Sequence, residues 1–397
     1  MKRAILLCWT ILTLLVVATW ARPSQAYPWM IRHDYTGCAL CHTDPSGGFL
    51  LTPYGRAQTQ TLLSSYGKGP EGNEVDGRSQ FLFGAMPLPD WLNVGFSGRY
   101  MYMYQKPSAG PGLGASVWMQ SDARAAVNIG QLEAAGSLGF SHQGGLPAAV
   151  TSRPKDNLVS REFWVGYNFD EEKNNKLRLG RMYLPFGMRT IDHTLFIRNV
   201  TQTDLDSQEQ YGASFFHQSE SYRYELMAIA GNYQLHPDTF RKRGYSAYLE
   251  YAVANRFGLG FSSMVTYQGT DDQKQVVGSL VRGAHGSFAR WAPTSDLAIM
   301  SELDVVHTNP TSGGNPVFGA VGMLQADWEF VRGVHGVATP ELYLADVGGK
   351  ANKTFYRGWL TFAWYVYPHV DLRADGIVAD DPMGKYTMGL GQIHLSL

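Results

Sequence analysis

Cys38, Cys41 and His42 stand in the order Cys-x-x-Cys-His, and they take two of the chain's three cysteines. Two thiols one helical turn apart can form thioethers with the two vinyl groups of a haem. The adjacent imidazole then meets the iron as proximal ligand. The spacing therefore predicts one covalent haem c, attached at Cys38 and Cys41 with His42 on the metal. Three other chemistries use similar residues. A short disulfide forms in oxidising compartments. A thioredoxin-like redox pair requires a βαβ pattern that does not surround this motif. Half of a zinc site requires a second cysteine pair, and the third cysteine, Cys8, falls in an export signal.

Further donors lie close by. His33 is five residues before Cys38 and Met30 eight before it, so either side chain could supply the sixth iron ligand. His193 could reach the haem segment if its loop folds into a lumen; the other reading is a surface loop. Arg56 and Arg32 are candidates for the haem propionates, because guanidinium and carboxylate match bidentately; a solvated or lumenal arginine is the alternative for both. No GxSxG, HExxH or phosphate loop is present, so no catalytic residues are expected and the chain reads as a non-enzyme.

The elements that must position these residues begin with an export signal over 1–26. Met1-Lys2-Arg3 is its basic start, Ala4 to Ala18 its apolar core, and Ser24 and Ala26 its small-residue cleavage site. The mature chain then starts near Tyr27. Residues 27–80 form the haem segment with its linker. Thr52-Pro53 reads as a helix N-cap followed by proline in the first turn, with a short helix to about Ser65. Gly67 to Arg78 is a polar, glycine-rich linker. A segment this short buries too little to stand alone, so the rest of the chain is expected to cover it. Basic and acidic residues balance, 33 against 34, which argues against a nucleic-acid partner. No later run approaches the ~20 apolar residues of a transmembrane helix, so membrane residence requires a barrel.

From Leu92 onward the period is two. Leu92, Val94, Phe96, Gly98, Tyr100, Tyr102 and Tyr104 alternate with Asn93, Gly95, Ser97, Arg99, Met101 and Met103. Tyr245, Ala247, Leu249, Tyr251 and Val253 alternate with Ser246, Tyr248, Glu250 and Ala252. Strands are expected near 92–105, 115–128, 131–142, 158–169, 175–184, 210–218, 222–233, 243–254, 256–268, 275–289, 296–308, 317–330, 335–346, 354–367, 369–379 and 385–397. That is about sixteen, an even number in the porin range. Aromatic residues recur at strand ends, as interfacial girdles require. Asp371, Arg373 and Asp375 share one face and would line a polar, wet lumen. The fold class is therefore all-β, an antiparallel transmembrane barrel over 81–397 preceded by a small, partly helical haem segment. A secreted sandwich or propeller shares the period, but it would bury its aromatics, and no blade-length repeat is visible.

The chain resembles monohaem cytochromes c fused to a porin-like barrel in Gram-negative outer membranes. The resemblance rests on Cys38-Ala39-Leu40-Cys41-His42-Thr43, Pro45 and Leu51-Thr52-Pro53-Tyr54-Gly55-Arg56, and less specifically on Leu179-Gly180-Arg181-Met182-Tyr183-Leu184-Pro185-Phe186-Gly187, which is similar to a segment of phosphate-selective-type porins. The Asp44 to Gly48 insert departs from the compact haem loop of that family. The resemblance implies haem binding and electron transfer at the outer membrane, with outer-membrane lipid and a periplasmic or extracellular redox protein as partners. The haem segment would lie in the periplasm or the barrel lumen. The alternative function is a small-solute channel with the haem segment as plug or redox sensor. A haem enzyme is a third possibility that no residue selects.

Overall fold

The structure, a computed structural model, describes residues 28–397 apart from 36, 49, 68–74, 143–146, 191, 193, 205–207, 239, 272–275, 312, 350 and 351. The export signal, Tyr27, His193 and much of the Gly67 to Arg78 linker lie outside the described residues.

Seventeen strand segments follow one another in the chain. They are β1 (Leu92–Pro107), β2 (Leu113–Ile129), β3 (Leu132–Ser141), β4 (Asn157–Val159), β5 (Phe163–Asn168), β6 (Asn175–Met182), β7 (Gln210–Gln218), β8 (Tyr222–Gly231), β9 (Arg243–Ala254), β10 (Phe257–Asp271), β11 (Val276–Trp291), β12 (Leu297–Pro310), β13 (Val317–Val331), β14 (Val334–Leu344), β15 (Thr354–Tyr367), β16 (Val370–Asp381) and β17 (Gly384–Ser396). β4 and β5 both pair with β3, on successive stretches of it, so together they fill one place in the wall. The result is a closed antiparallel barrel of sixteen strands. β1 closes it by pairing with β17 from Ser97↔Ser396 to Pro107↔Tyr386.

The expected strand at 158–169 is broken for a local reason. Arg161 and Glu162 are consecutive, yet both are buried at 3% exposure, which period two forbids. The Oγ of Ser137 accepts both of their backbone N–H groups at 3.0 Å and takes over from the interrupted ladder.

Side chains sort by face as a membrane barrel demands. Tyr100, Tyr102, Leu303, Val305 and Leu360 point outward and exposed, while Asn93, Ser97, Arg99, Glu302 and Asp304 point inward and buried. The interior is not simply wet. Two segments occupy it and bring apolar cover with them. One is the stretch from Pro28, which opens with a 3₁₀ turn over Pro28–His33 and includes helix α1 (Pro53–Gln58), continued by a π turn over Thr59–Leu63. The other is the connection between β6 and β7, which folds inward and carries helix α2 (Phe196–Thr201). Trp29, Met30, Ile31 and Cys41 from the first and Met188, Leu195 and Phe196 from the second share one apolar cluster with Phe288, Met300, Val321 and Trp359 of the wall. The polar lumen expected from sequence is corrected to a mixed one: the inward apolar wall residues face these two fillers instead of water.

The N-terminal plug sits at the end of the barrel where β1 begins and β17 stops. Ser65 N and Tyr66 N donate to the carbonyls of Tyr365 and Val366 at 2.8 and 3.0 Å. Arg332, in the β13–β14 turn, donates to the carbonyl of Ser64 at 3.0 Å. Gly333 in that turn has φ +78°, and a Cβ there would lie 2.7 Å from Leu63 O and Ser65 N. Glycine lets the turn bend left-handed and lets the plug cross it in contact.

Candidate functional site

The plug is held by charges on opposite walls. Arg32, fully buried, donates to Asp327 of β13 at 2.7 Å and lies 4.5 Å over the ring of Trp29. Trp29 in turn packs on His335 and Tyr365, with centroids 4.9 and 5.9 Å away. Across the lumen, Asp44 pairs with Arg178 of β6 at 2.8 Å, and Ser46 Oγ donates to Glu225 of β8 at 2.8 Å. The Asp44 to Gly48 insert is thus the anchor of the Cys-x-x-Cys-His loop on that side.

Between these anchors the Cys-x-x-Cys-His stretch forms a single turn. His42 N and Cys41 N both donate to Cys38 O, at 2.9 and 3.1 Å. Thr52 N donates to Cys41 O at 2.9 Å, and Thr52 Oγ1 caps α1 by accepting from Gly55 N at 3.1 Å. Helix α1 then packs directly on the motif: a Cβ on Gly55 would lie 2.3 Å from Cys41 O. Cys38 and Cys41 are buried, 6% and 2% exposed, and are not joined in a disulfide. Burial, with Cys38 adding to it, pushes the Cys41 thiol up to about 12.

His42 Nδ1 donates to the Gly48 carbonyl, which places the ring proton on Nδ1 and the lone pair on Nε2. That is the tautomer a metal-bound imidazole uses, with its other nitrogen held by a backbone carbonyl. Burial outweighs the pull of Gly48 and holds the His42 pKa down at about 4, so the ring is neutral at ordinary pH. A neutral imidazole is the ligand form.

Cys38 and His42 both line a cavity of about 740 Å³ that runs up the lumen from Leu397 to Met383. Small-molecule and cofactor sites typically occupy ~300–1,000 Å³. Arg56 also lines this cavity; it is 3% exposed, and burial lowers its pKa to about 10. A tautomer-fixed imidazole, a thiol one helical turn away and an arginine on one cavity fit the iron ligand, one thioether and a propionate contact of a haem c; the second thioether requires the Cys41 side chain to turn toward the cavity. Cys41 stands on the other side of its turn, in the apolar cluster with Met30 and Trp29.

The structure brings together Cys38, His42 and Arg56 and seats the remaining candidates elsewhere. Arg32 is taken up by Asp327 and His335. His33 faces Glu329 at 3.9 Å, with burial first and Arg32 second lowering its pKa. Met30, fully buried, packs among apolar residues. His193 lies outside the described residues; beside it, Asp192 pairs with Arg373 and Thr194 O accepts from Arg357 at 2.8 Å. Sequence reading missed Arg189, Met119, Met388 and His394 as cavity residues. Arg99, Met101 and Met103 were legible, since they continue the inward row of Asn93, Gly95 and Ser97.

No protein-family model and no curated protein sequence matches this chain. Solved structures do match its fold. OmpTdeltaL8, a loop L8 deletion mutant of the outer membrane protein OmpT of Vibrio cholerae, superposes with a TM-score of 0.59 at 9% identity, covering 78% of this chain and 100% of that one. An anion-selective porin from Comamonas acidovorans gives 0.57 at 12% identity, with 77% and 99% covered. Salmonella typhi OmpF, in complex with daunomycin, gives 0.52 at 10%, with 77% and 97% covered. The fold is that of a porin-like outer-membrane β-barrel.

Proposed function

We propose that this chain is an outer-membrane redox barrel, in which the plug carries one covalent haem c inside a porin-type wall. The observation that carries this reading is the placement of Cys38 and His42 on the same lumenal cavity, with the His42 tautomer fixed by Gly48. When bound, the haem supplies a one-electron carrier. The chain's residues do the rest. Cys38 and Cys41 attach it, His42 ligates the iron, and the barrel wall surrounds it. His33 and Met30 stay the plug's own candidates for the sixth position, and each would have to leave the packing described above to reach it. A single haem does not cross ~30 Å of hydrocarbon, so a redox protein at the plug end or within the lumen completes the transfer. Mass spectrometry of the denatured, exported chain tests the reading directly. One retained haem is expected, and an intact mass equal to the bare chain overturns it.

A second reading is a solute channel with the plug as stopper or sensor. The barrel's likeness to structures that include an anion-selective porin speaks for this reading more directly than for the redox one. Sixteen strands leave an aqueous channel unless filled. Planar-bilayer conductance of the full chain separates the two: steady ion current through the intact, plugged protein favours the channel.

A further inference from the structure

Among the described residues, three arginines on the cavity wall make no ion pair: Arg56 and Arg99 stand without a carboxylate, and Arg189 feels only Asp44 and Glu225, both already paired with Arg178. Arg56, Arg99 and Arg189 line the cavity shared by Cys38 and His42. Among the described residues, the hydrogen bonds of Arg56 and Arg189 run to the carbonyls of Val94 and Leu184, and Arg99 makes no ion pair. Other wall arginines are paired: Arg161 with Asp122 at 2.9 Å, Arg357 with Asp381 at 2.8 Å, Arg373 with Asp192 and Asp375. The contrast matters because a buried guanidinium without a counter-charge is unfavourable. Arg99 is only 9% exposed and Arg56 3%.

Their placement is specific. A Cβ built on Gly95 would lie 3.5 Å from Arg56 Nη2, and Gly95, Ser97 and Arg99 share the inward row of β1. A Cβ built on Gly47 would lie 3.3 Å from Cys38 Sγ and 3.4 Å from Arg189 Cγ, so Arg189 flanks the attachment thiol. The geometry points to a carboxylate-binding site formed by Arg56, Arg99 and Arg189, whose ligand is the propionate pair of the attached haem. The inference rests on the redox reading above and adds Arg99 and Arg189 to Arg56. Guanidinium forks grip carboxylates bidentately, and one such site takes a soluble dicarboxylate by the same chemistry.

Two measurements test it, after intact mass has shown whether haem is attached. In haem-loaded chain, Arg99→Gln and Arg189→Gln each lower the midpoint potential, because losing a nearby cation favours the more positive oxidised centre; Arg99→Lys restores part of it. Calorimetry with succinate covers the other source. Folded Cys38→Ala/Cys41→Ala chain binds succinate, Arg99→Gln weakens that binding at least tenfold, and haem-loaded chain does not bind. Arg373→Gln, already held by two aspartates, is the control and leaves succinate affinity within about twofold. Equal succinate binding with and without haem assigns the site to a soluble anion and overturns the propionate assignment. Unchanged potentials together with no succinate binding overturn the site. A chain without haem overturns the redox reading instead, and succinate alone then decides the site: binding lost in Arg99→Gln upholds it, and no binding overturns it.

Discussion

Single residues do unequal work around the Cys-x-x-Cys-His turn. Gly55 has no freedom to grow, since its missing Cβ leaves room for the Cys41 carbonyl. Gly55→Ala should force helix α1 off the motif at roughly 1–3 kcal/mol, the usual penalty for overpacking. The expected result is reduced haem content in the folded barrel, read from the pyridine haemochrome spectrum; wild-type content would show that α1 does not brace the turn. Asp44 and Arg178 form a buried pair, and removing one partner of such a pair strands the other. Asp44→Asn leaves Arg178 with Glu225 alone, so a loss of about 3 kcal/mol is expected, the low end for a broken buried pair. Thermal melting in detergent checks it, and an unshifted melting temperature would mean the insert is not an anchor.

At the scale of elements, the seam between plug and turn is the most sensitive joint. Gly333→Val adds bulk at a left-handed φ and against the Leu63 carbonyl at once. The plug should lift from the β13–β14 turn while the strands stay paired. Protease cleavage between Gln60 and Tyr66 should then quicken at least several-fold, with circular dichroism unchanged. The strands themselves were open to reading from sequence: 210–218 and 354–367 match β7 and β15 end to end, because period-two alternation reports which residues face lipid. The alternation failed where Arg161 and Glu162 both turn inward, since a side-chain hydroxyl satisfied the backbone there. The 3₁₀ turn at Pro28–His33 and the lumenal seat of the plug left no periodic trace. Their partners are far along the chain, 295 residues apart for Arg32 and Asp327 and 179 for Ser46 and Glu225. Of the candidate site, the motif and Arg56 were legible by residue type. The separation of His33 and Met30 from the cavity was not, because it depends on which way one short turn faces.

The whole molecule is a wide barrel filled by its own chain. If the plug is what closes it, a chain lacking residues 28–91 should still form detergent-stable barrel and should pass several times the ionic current of the full chain in planar bilayers. Equal currents would locate the closure in the inward loop that carries α2. The filling also dictates an order of events. Cys38 and Cys41 lie behind a continuous wall that β1 and β17 seal, and the plug touching that wall is the part made first. Its counterparts on β6, β8 and β13 are made later, so the plug must wait for them. Thioether chemistry needs reachable thiols, and the finished barrel offers none to a large enzyme. Any prosthetic group must therefore be stitched on before the last seam is drawn, and haem supplied to barrels already sealed in the membrane should never become covalent.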